Sequence, residues 1–248
     1  MRPAATVILL RDGAGGPEVF LQHRVAQMDF AAGMTVFPGG GVDRRDADAS
    51  IAWQGPPPEE WAAHFDCDPA LARALACAAV RETFEESGVL LAGEASGAVV
   101  GDTGRFREAR RALVSRQLSL AEFLTGTGLV LRADLLRPWA HWLTPRGESR
   151  RYDTRFFLAA LPEGQCADGE TTEAVGSGWQ QPADALADAR AGRTTVLPPT
   201  WVALAELAEL GSVADALAAE RSIRRITPRL IRDDRGLRVD IDGQEFTL

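Results

Sequence analysis

Residues 81–89 read RETFEESGV, and residues 37–43 read FPGGGVD. In the first stretch Glu82, Glu85 and Glu86 are spaced i, i+3 and i+4, which places three carboxylates on one face of a helix. At about 100° per residue, the apolar residues of the same turns fall on nearly the opposite face. The pattern predicts a helix that ends with an acidic face and an apolar face.

The ends of this helix are marked by residues that favour helix termini. Asp68 is a good N-cap, and Pro69 after it suits the first helical position. Gly88 suits the stop, since glycine adopts the left-handed conformation that ends many helices. The sequence therefore predicts a helix over residues 69–87.

The acidic face needs positive charge. Like charges four residues apart destabilise a helix by about 0.2–0.5 kcal/mol, and by more in a cleft. Arg81 can pair with Glu85 one turn on, which leaves at least two acids unmatched by basic residues in the last turns. Mg²⁺ or Mn²⁺ is indicated as the partner, because these ions prefer carboxylate, water and phosphate oxygens. A solvated acidic helix end is the alternative interpretation.

Together the glycine turn and the helix resemble the signature of the Nudix hydrolases, G-x5-E-x7-R-E-U-x-E-E-x-G-U, where U is a bulky apolar residue. Gly40 fits the first glycine, and residues 81–89 fit the second half. Thr83 stands where a bulky apolar residue is usual, and Asp46 replaces the first glutamate. The spacing also differs, because forty residues separate Gly40 from Arg81 where the signature has thirteen.

The longer spacing amounts to an insertion inside the signature, at about residues 47–68. Because loop-closure entropy grows slowly with length, it costs only about 1 kcal/mol, so the fold tolerates it. Three consecutive prolines at 56–58 exclude helix or central strand from part of the insertion. We expect a surface excursion beside the cleft.

The resemblance implies a metal site and assigns its residues. Glu82, Glu85 and Glu86 would hold the divalent ions, and the Gly39 carbonyl is a weaker candidate ligand. Glu82 would bind metal or orient the attacking water, and Arg81 would orient the acids.

Other positions would serve the substrate. Gly40 and Gly41 lack a Cβ, so the backbone there can approach ions and phosphates closely. A general base outside the signature is not fixed by the sequence. Glu170 and Glu173 are the candidates, because the family often places an acid on a loop there, and two solvated loop acids are the alternative.

A narrower resemblance concerns the coenzyme A diphosphatase branch of the family. FPGG at residues 37–40, followed by aspartates, is similar to that branch, as are WLTP at 142–145 and RYDTRFF at 151–157. This similarity implies substrate-binding roles for Arg24 and Arg155, and cleavage of coenzyme A or acyl-CoA. Ordinary ion pairs are the alternative for both arginines.

Two other functions remain open. One is an ADP-ribose or NADH diphosphatase, which would use the same signature. The other is a Nudix-like nucleotide sensor without activity. The three glutamates argue against a sensor, because a pure binder has no need of a like-charge cluster that costs stability.

Composition narrows the class of protein further. The chain has 248 residues and a net charge of −8, which argues against nucleic-acid polymers as partners and leaves small diphosphate molecules. Three cysteines without CxxC spacing favour reduced thiols in a cytosol. No apolar run is long enough to span a membrane, so we expect a cytoplasmic protein. A homodimer is left open.

The order of elements favours an α+β fold. We expect residues 1–210 to form the main domain, followed by a C-terminal helix and hairpin extension, with residues 211–248 packed on the same domain. The family resemblance agrees, since it implies a mixed β-sheet sandwiched between helices. The expected strands are residues 5–11, 18–24, 34–37, 139–143, 151–161, 229–232 and 237–241, and the further expected helices are residues 118–125, 182–191 and 199–210.

Overall fold

The structure is a computed structural model that describes residues 1–25, 31–171, 174–233, 236–241 and 243–247. Its strands are β1 (Arg2–Gly13), β2 (Gly16–Arg24), β3 (Thr35–Val36), β4 (Gly39–Gly41), β5 (Trp53–Gln54), β6 (Ala92–Glu94), β7 (Leu129–Arg132), β8 (Arg137–Leu143), β9 (Tyr152–Ala160), β10 (Ala174–Gln180), β11 (Arg225–Ile226), β12 (Arg229–Asp233), β13 (Gly236–Ile241) and β14 (Gln244–Thr247). Its α-helices are α1 (Pro58–Phe65), α2 (Pro69–Ser87), α3 (Arg107–Val114), α4 (Leu120–Thr127), α5 (Pro182–Arg190), α6 (Pro198–Ala208) and α7 (Val213–Ala218).

The largest sheet mixes parallel and antiparallel neighbours. Its strands run in the order β10-β2-β1-β9-β8-β11, with β3 beside β2 and β4 beside β1. Strand β1 is antiparallel to β2 and parallel to β9. Two smaller sheets have the orders β5-β7-β6 and β12-β13-β14. The predicted α+β fold with a mixed sheet is confirmed.

Helices cover both faces of this sheet. Alternating side chains of β1 point to opposite faces, so Val7 and Leu9 are buried with residues of α1 and α2. Ile8 and Leu10 are buried with residues of α5, α6 and α7. Burial on both faces explains why β1 reads as a nearly continuous apolar run.

Helix α2 has the predicted bounds, Pro69–Ser87. The Asp68 carboxylate accepts a hydrogen bond from the Ala70 N–H at 2.8 Å, and proline occupies the first helical turn. Gly88 ends the helix with a φ of 73°, the left-handed conformation that glycine adopts at low cost. Local capping chemistry was therefore sufficient to place both ends.

The expectation that the insertion is a surface excursion is wrong. Its helix α1 places Trp61 and Phe65 in the core, where they are 3% and 1% exposed. Both rings contact Phe157 of β9, with centroids at 5.5 and 5.2 Å. The prolines do not prevent this, because Pro58 occupies the first turn of α1, where a proline N–H is not needed.

The C-terminal residues pack on the helical layer formed by α5 and α6. Val213 and Ala216 of α7, together with Val239 and Ile241 of β13, belong to the same buried cluster as Leu204 of α6. The predicted terminal hairpin is present as β12 and β13. Within the described residues, no helix is long and apolar enough to cross a membrane.

Several strands were not predicted from the sequence. The most consequential is β10, which extends the sheet beyond β2 and has glycine at positions 176 and 178. The short strands β6, β7, β11 and β14 were also missed. They form by pairing with neighbours distant in sequence, which local propensity does not report.

Candidate functional site

The glycine turn lies directly against the acidic end of α2. A Cβ built on Gly40 would come within 2.7 Å of the Glu82 carboxylate. The Gly39 N–H donates a hydrogen bond to Glu86 Oε2 at 2.9 Å. Strand β4 holds the turn in place by pairing with β1, where Gly40 lies opposite Ala5. Two of the three predicted glutamates therefore face the turn, and a side chain at position 40 would displace the Glu82 carboxylate.

Arg81 lies at the centre of the acids. Its Nη1 donates to Glu82 at 2.7 Å and to Glu85 at 3.3 Å. Its Nε and Nη2 donate to the two carboxylate oxygens of Asp46, both at 2.9 Å. The pairing expected from the sequence is corrected here, because Arg81 contacts Glu82 and Asp46 as well as Glu85. One guanidinium nevertheless serves three carboxylates, and Glu86 lies beside them.

Asp46, in the position of the first signature glutamate, fixes Arg81 from the other side. It is 1% exposed, and it accepts a hydrogen bond from the Asp43 N–H at 2.7 Å within a reciprocal cap of the short 3-10 helix Arg44–Ala47. The two hydrogen bonds between Asp46 and Arg81 form a fork geometry that restricts the guanidinium plane. The segment after the glycine turn thus positions the arginine predicted to orient the glutamates.

Burial alters the acids of this cluster. Desolvation raises the pKa of Glu82 to about 7, although the Arg81 charge and hydrogen bond oppose the rise. Burial likewise raises the pKa of Glu85, again opposed by Arg81. The main cause is that the site is largely closed to water, and the neighbouring carboxylates add to the rise of both pKa values. The cluster would ionise more readily if a further cation were present.

The donor set suits a hard divalent cation, although it is not arranged around a common point. Among the described residues, no group of three or more His, Cys, Asp or Glu side chains is placed to hold a metal ion. The contacts explain this, because Glu82 and Glu85 are directed at Arg81 and Glu86 at the Gly39 N–H. Carboxylate oxygens are the ligands that Mg²⁺ and Mn²⁺ take, and Glu82, Glu85 and Asp46 share the single charge of Arg81. The residues therefore fit such an ion in chemistry and charge.

Strand β2 brings two polar side chains to the same face of the sheet. The Gln22 amide, 1% exposed, donates to the Glu86 backbone carbonyl at 3.1 Å. Arg24 follows two residues later, so it projects from the same face, and it is half-buried. Gln22 was not predicted from the sequence, since a single glutamine in a strand carries no signal of a distant partner.

Arg155 lies in the interior. It is 3% exposed, and its Nη1 is 2.7 Å from Asp153 Oδ1, which also lies 2.6 Å from His141 Nε2. In the sheet it lies opposite Ala5, which in turn lies opposite Gly40. The structure thus places Arg155 one strand beyond the glycine turn, in a buried ion pair.

A loop and α3 enclose the C-terminal end of α2. Arg110, 6% exposed, donates from Nε to the Glu85 carbonyl at 3.0 Å and from Nη1 to Asp168 at 2.8 Å. The Asp168 N–H donates to the Ser87 carbonyl at 2.9 Å. These contacts fasten the loop that carries Glu170 to the end of the acidic helix. Sequence reasoning missed both residues of this pair, which are 58 positions apart.

Of the two candidate bases, Glu170 and Glu173, the structure describes only Glu170. Glu170 is exposed, and its carboxylate is 3.7 Å from Arg107 of α3. It therefore lies on the loop that borders the acidic helix, but its side chain points to an arginine at the surface. Glu173 lies outside the described residues.

Comparison with known proteins identifies the family. The family model described as the NUDT19 Nudix domain matches residues 65–207. The chain belongs to this Nudix family. The match begins within the insertion, so it includes the acidic helix, while the glycine turn precedes it. The resemblance to the coenzyme A diphosphatase branch is thereby confirmed.

Individual Nudix proteins are similar over most of the chain. A putative nudix hydrolase 7 of Caenorhabditis elegans is 29% identical over 209 residues, which cover 84% of this chain and 61% of that protein. The human acyl-coenzyme A diphosphatase NUDT19 is 29% identical over 242 residues, covering 82% and 63%. The chain thus spans about three fifths of the length of these relatives.

A solved Nudix structure supports the fold. The crystal structure of a NUDIX hydrolase from Alicyclobacillus acidocaldarius has a TM-score of 0.75 and 28% identity, covering 90% of this chain and 97% of that one. The similarity extends over nearly all of both chains, so the sheet and the helices on its two faces form a Nudix fold.

Proposed function

We propose that this chain is a metal-dependent hydrolase that cleaves the diphosphate bond of coenzyme A or acyl-CoA. The observation that carries the proposal is the contact between the glycine turn and the acidic end of α2. There Glu82 and Glu86 face Gly40 and Gly39, and Arg81 is the guanidinium shared by the surrounding acids. Burying so many carboxylates is costly for the fold, and their oxygens are the ligands that hard divalent cations prefer.

The choice of substrate rests on the relatives. The human and chicken proteins that resemble this chain are named acyl-coenzyme A diphosphatase NUDT19. This chain spans 63% and 70% of the lengths of those two proteins. We propose that it acts on the same substrate, because it belongs to the same Nudix family.

The metal would be held by Glu82, Glu85 and Glu86, with the Gly39 carbonyl as a further ligand. When bound, Mg²⁺ or Mn²⁺ supplies neutralisation of charge on the diphosphate oxygens and a lower pKa for a coordinated water. To hold an ion, Glu82 and Glu85 would have to release Arg81. Asp46 would keep Arg81 in place, since its two hydrogen bonds to the guanidinium do not involve the glutamates.

Other residues would bind and orient the substrate. The backbone at Gly40 and Gly41 is open to close approach by phosphate oxygens. Glu82, which lies against Gly40, would bind the metal or orient the attacking water. Arg24 is proposed to bind a phosphate from the strand beside the turn. The substrate-binding role expected of Arg155 would require this side chain to leave its buried ion pair with Asp153.

The base outside the signature is proposed to be one of the loop acids. Glu170 is carried by the loop that Arg110 and Asp168 attach to α2, and it would have to leave Arg107 to act as the base. Glu173, which lies outside the described residues, is the alternative.

The test is a substrate panel with product analysis. The chain is incubated with Mg²⁺ or Mn²⁺ and with coenzyme A, an acyl-CoA, ADP-ribose or NADH, and the products are identified by mass spectrometry. We expect 4′-phosphopantetheine, or its acylated form, together with adenosine 3′,5′-bisphosphate, and no products in EDTA. Faster cleavage of ADP-ribose or NADH would assign the chain to that diphosphatase class. Binding without cleavage of any of the four would make it a nucleotide sensor.

A further inference from the structure

An arginine-rich segment borders the proposed active site. Five of the chain's 27 basic residues lie between positions 105 and 116, accompanied by one acid, Glu108, in a chain of net charge −8. The segment consists of a 3-10 turn, helix α3 and the residues that follow it. Arg110 links it to the site through the Glu85 carbonyl. A cationic surface therefore lies beside the acidic one.

The arginines of helix α3 lie on two different faces of the helix. Ala109 and Leu113 pack against the core that includes α2. Arg110 is buried next to them, whereas Arg107 and Arg111, four residues apart, share the outer face. Arg107 approaches the exposed Glu170 at 3.7 Å, and Arg111 has no carboxylate partner among the described residues. The outer face of α3 thus presents positive charge to solvent.

Arg116 occupies a backbone position that normally favours glycine. Its φ is 60°, and it follows α3 in a closing turn where the Gln117 N–H donates to the Ala112 carbonyl at 2.8 Å. This left-handed position after a helix is usually filled by glycine, because a Cβ is strained there. A residue kept at a strained position is a candidate for a role of its side chain.

The surroundings of Arg116 point toward the site. Its carbonyl accepts a hydrogen bond from Arg45 Nη1 at 3.2 Å, and Arg45 also binds the Asp43 carboxylate beside the glycine turn. Arg45 immediately precedes Asp46, whose carboxylate binds Arg81, so a short series of contacts connects Arg116 to the acids. Its own side chain is exposed and forms no ion pair with a described carboxylate.

We propose that Arg116, with Arg111, binds a phosphomonoester of the substrate that lies outside the cleaved diphosphate. The proposal rests on the proposed function, in which the cleaved diphosphate is neutralised by metal at the glutamates. A separate phosphate dianion needs its own cations, and guanidinium groups match its oxygens in charge and geometry. The chemical class is a nucleotide with a phosphate on its ribose, such as the 3′-phosphate of coenzyme A.

The test measures binding, so it does not depend on turnover. Isothermal titration calorimetry with Mg²⁺ present compares adenosine 3′,5′-bisphosphate with AMP, and the ratio of the two dissociation constants reports the 3′-phosphate alone. We expect the wild-type chain to prefer the bisphosphate about ten-fold. Arg116→Gly should reduce the ratio to about one, whereas Arg116→Lys should retain part of it and Arg111→Gln should lower it less.

Arg116→Gly also separates this role from a structural one. Glycine relieves the left-handed strain, so its thermal midpoint should equal or exceed that of the wild type while the preference is lost. Arg105→Gln is the matched control, because it removes the same charge from a guanidinium that stacks on Phe106 at 4.6 Å. Its ratio should stay at the wild-type value.

The inference is overturned if the wild type binds both nucleotides equally, or if Arg116→Gly and Arg105→Gln change the ratio alike. Neither result would touch the proposed hydrolase, which is judged by product formation from the substrate panel. Conversely, absence of cleavage with an intact ten-fold preference would reject the hydrolase and keep the phosphate site.

Discussion

Glu86 combines a packing role with a proposed chemical role. Its Oε2 accepts the Gly39 N–H at 2.9 Å, and the residue is 5% exposed. Glutamine can keep this acceptor while losing the negative charge. We therefore expect Glu86→Gln to lower metal-dependent turnover by at least about a hundred-fold, with a thermal midpoint close to that of the wild type. Product formation with Mn²⁺ and a thermal melt measure the two effects.

Glu86→Ala provides the contrast. It removes the acceptor as well as the charge and leaves the Gly39 N–H unsatisfied, which should cost about 1–3 kcal/mol of stability. If Glu86→Gln were fully active, its assignment as a metal ligand would be rejected. If it melted as low as Glu86→Ala, the charge itself would be needed for the fold.

The residues of this cluster could be predicted from the sequence, whereas most of their contacts could not. The i, i+3, i+4 spacing identified Glu82, Glu85 and Glu86 because helix periodicity alone decides which side chains share a face. It left Arg81 with one acid, since the position of Asp46 depends on how a segment 35 residues away folds back. The contacts of Gln22 and Asp168 could not be predicted for the same reason, since their partners are distant in sequence.

At the scale of elements, the insertion is a structural component. Helix α1 inserts two aromatic side chains between α2 and β9, so its removal would open the core. We expect Trp61→Ala and Phe65→Ala each to reduce the free energy of unfolding by about 3–5 kcal/mol. The exposed His64→Ala on the same helix should change it by less than about 0.5 kcal/mol. Urea unfolding followed by tryptophan fluorescence, with circular dichroism for Trp61→Ala, measures these values.

The outcome distinguishes two descriptions of the insertion. A surface excursion would tolerate all three substitutions about equally, because exposed side chains away from caps contribute little. Large losses confined to the two buried rings would agree with the contacts to Phe157.

Elements with local signals were predicted, and elements defined by partners were not. The bounds of α2 followed from Asp68, Pro69 and Gly88, and the capping box of Ser119 and Glu122 placed α4. By contrast β10 reads AVGSGWQ, with two glycines that disfavour strand, and it exists because β2 offers an edge to pair with. Pairing of this kind is set by the whole sheet.

At the scale of the molecule, the sheet joins two halves of a divided signature. Forty residues lie between Gly40 and Arg81 in the sequence, yet the two meet in the structure. Strand β4 pairs with β1, and α2 packs on one face of β1, so the turn contacts the end of the helix. The insertion between them fills the core beneath. Stability of the core and geometry of the site are therefore linked. The ionisation of the site should then change the free energy of unfolding of the whole chain.

Glu82 provides the measurable form of this link. Its pKa is raised by burial from 4.5 to about 7, so between these values the folded chain holds a proton that the unfolded chain has released. Stability must then fall as pH rises through this window, since the folded state binds more protons. The difference is worth at most about 3 kcal/mol. The glutamine side chain of Glu82→Gln does not titrate, so the stability of this variant should lack this part of the pH dependence.

The experiment is urea unfolding of wild type and Glu82→Gln at pH 5, 6, 7 and 8, because subtracting the two profiles removes the titration of all other groups. We expect the wild type to lose stability relative to the variant as pH rises, with most of the change before pH 8. Mn²⁺ should restore wild-type stability more at pH 8 than at pH 5, since an ion binds the ionised carboxylate and binds the folded state. Parallel profiles without metal would show that Arg81 already neutralises Glu82, and the cluster would then have no unmet charge for an ion to satisfy.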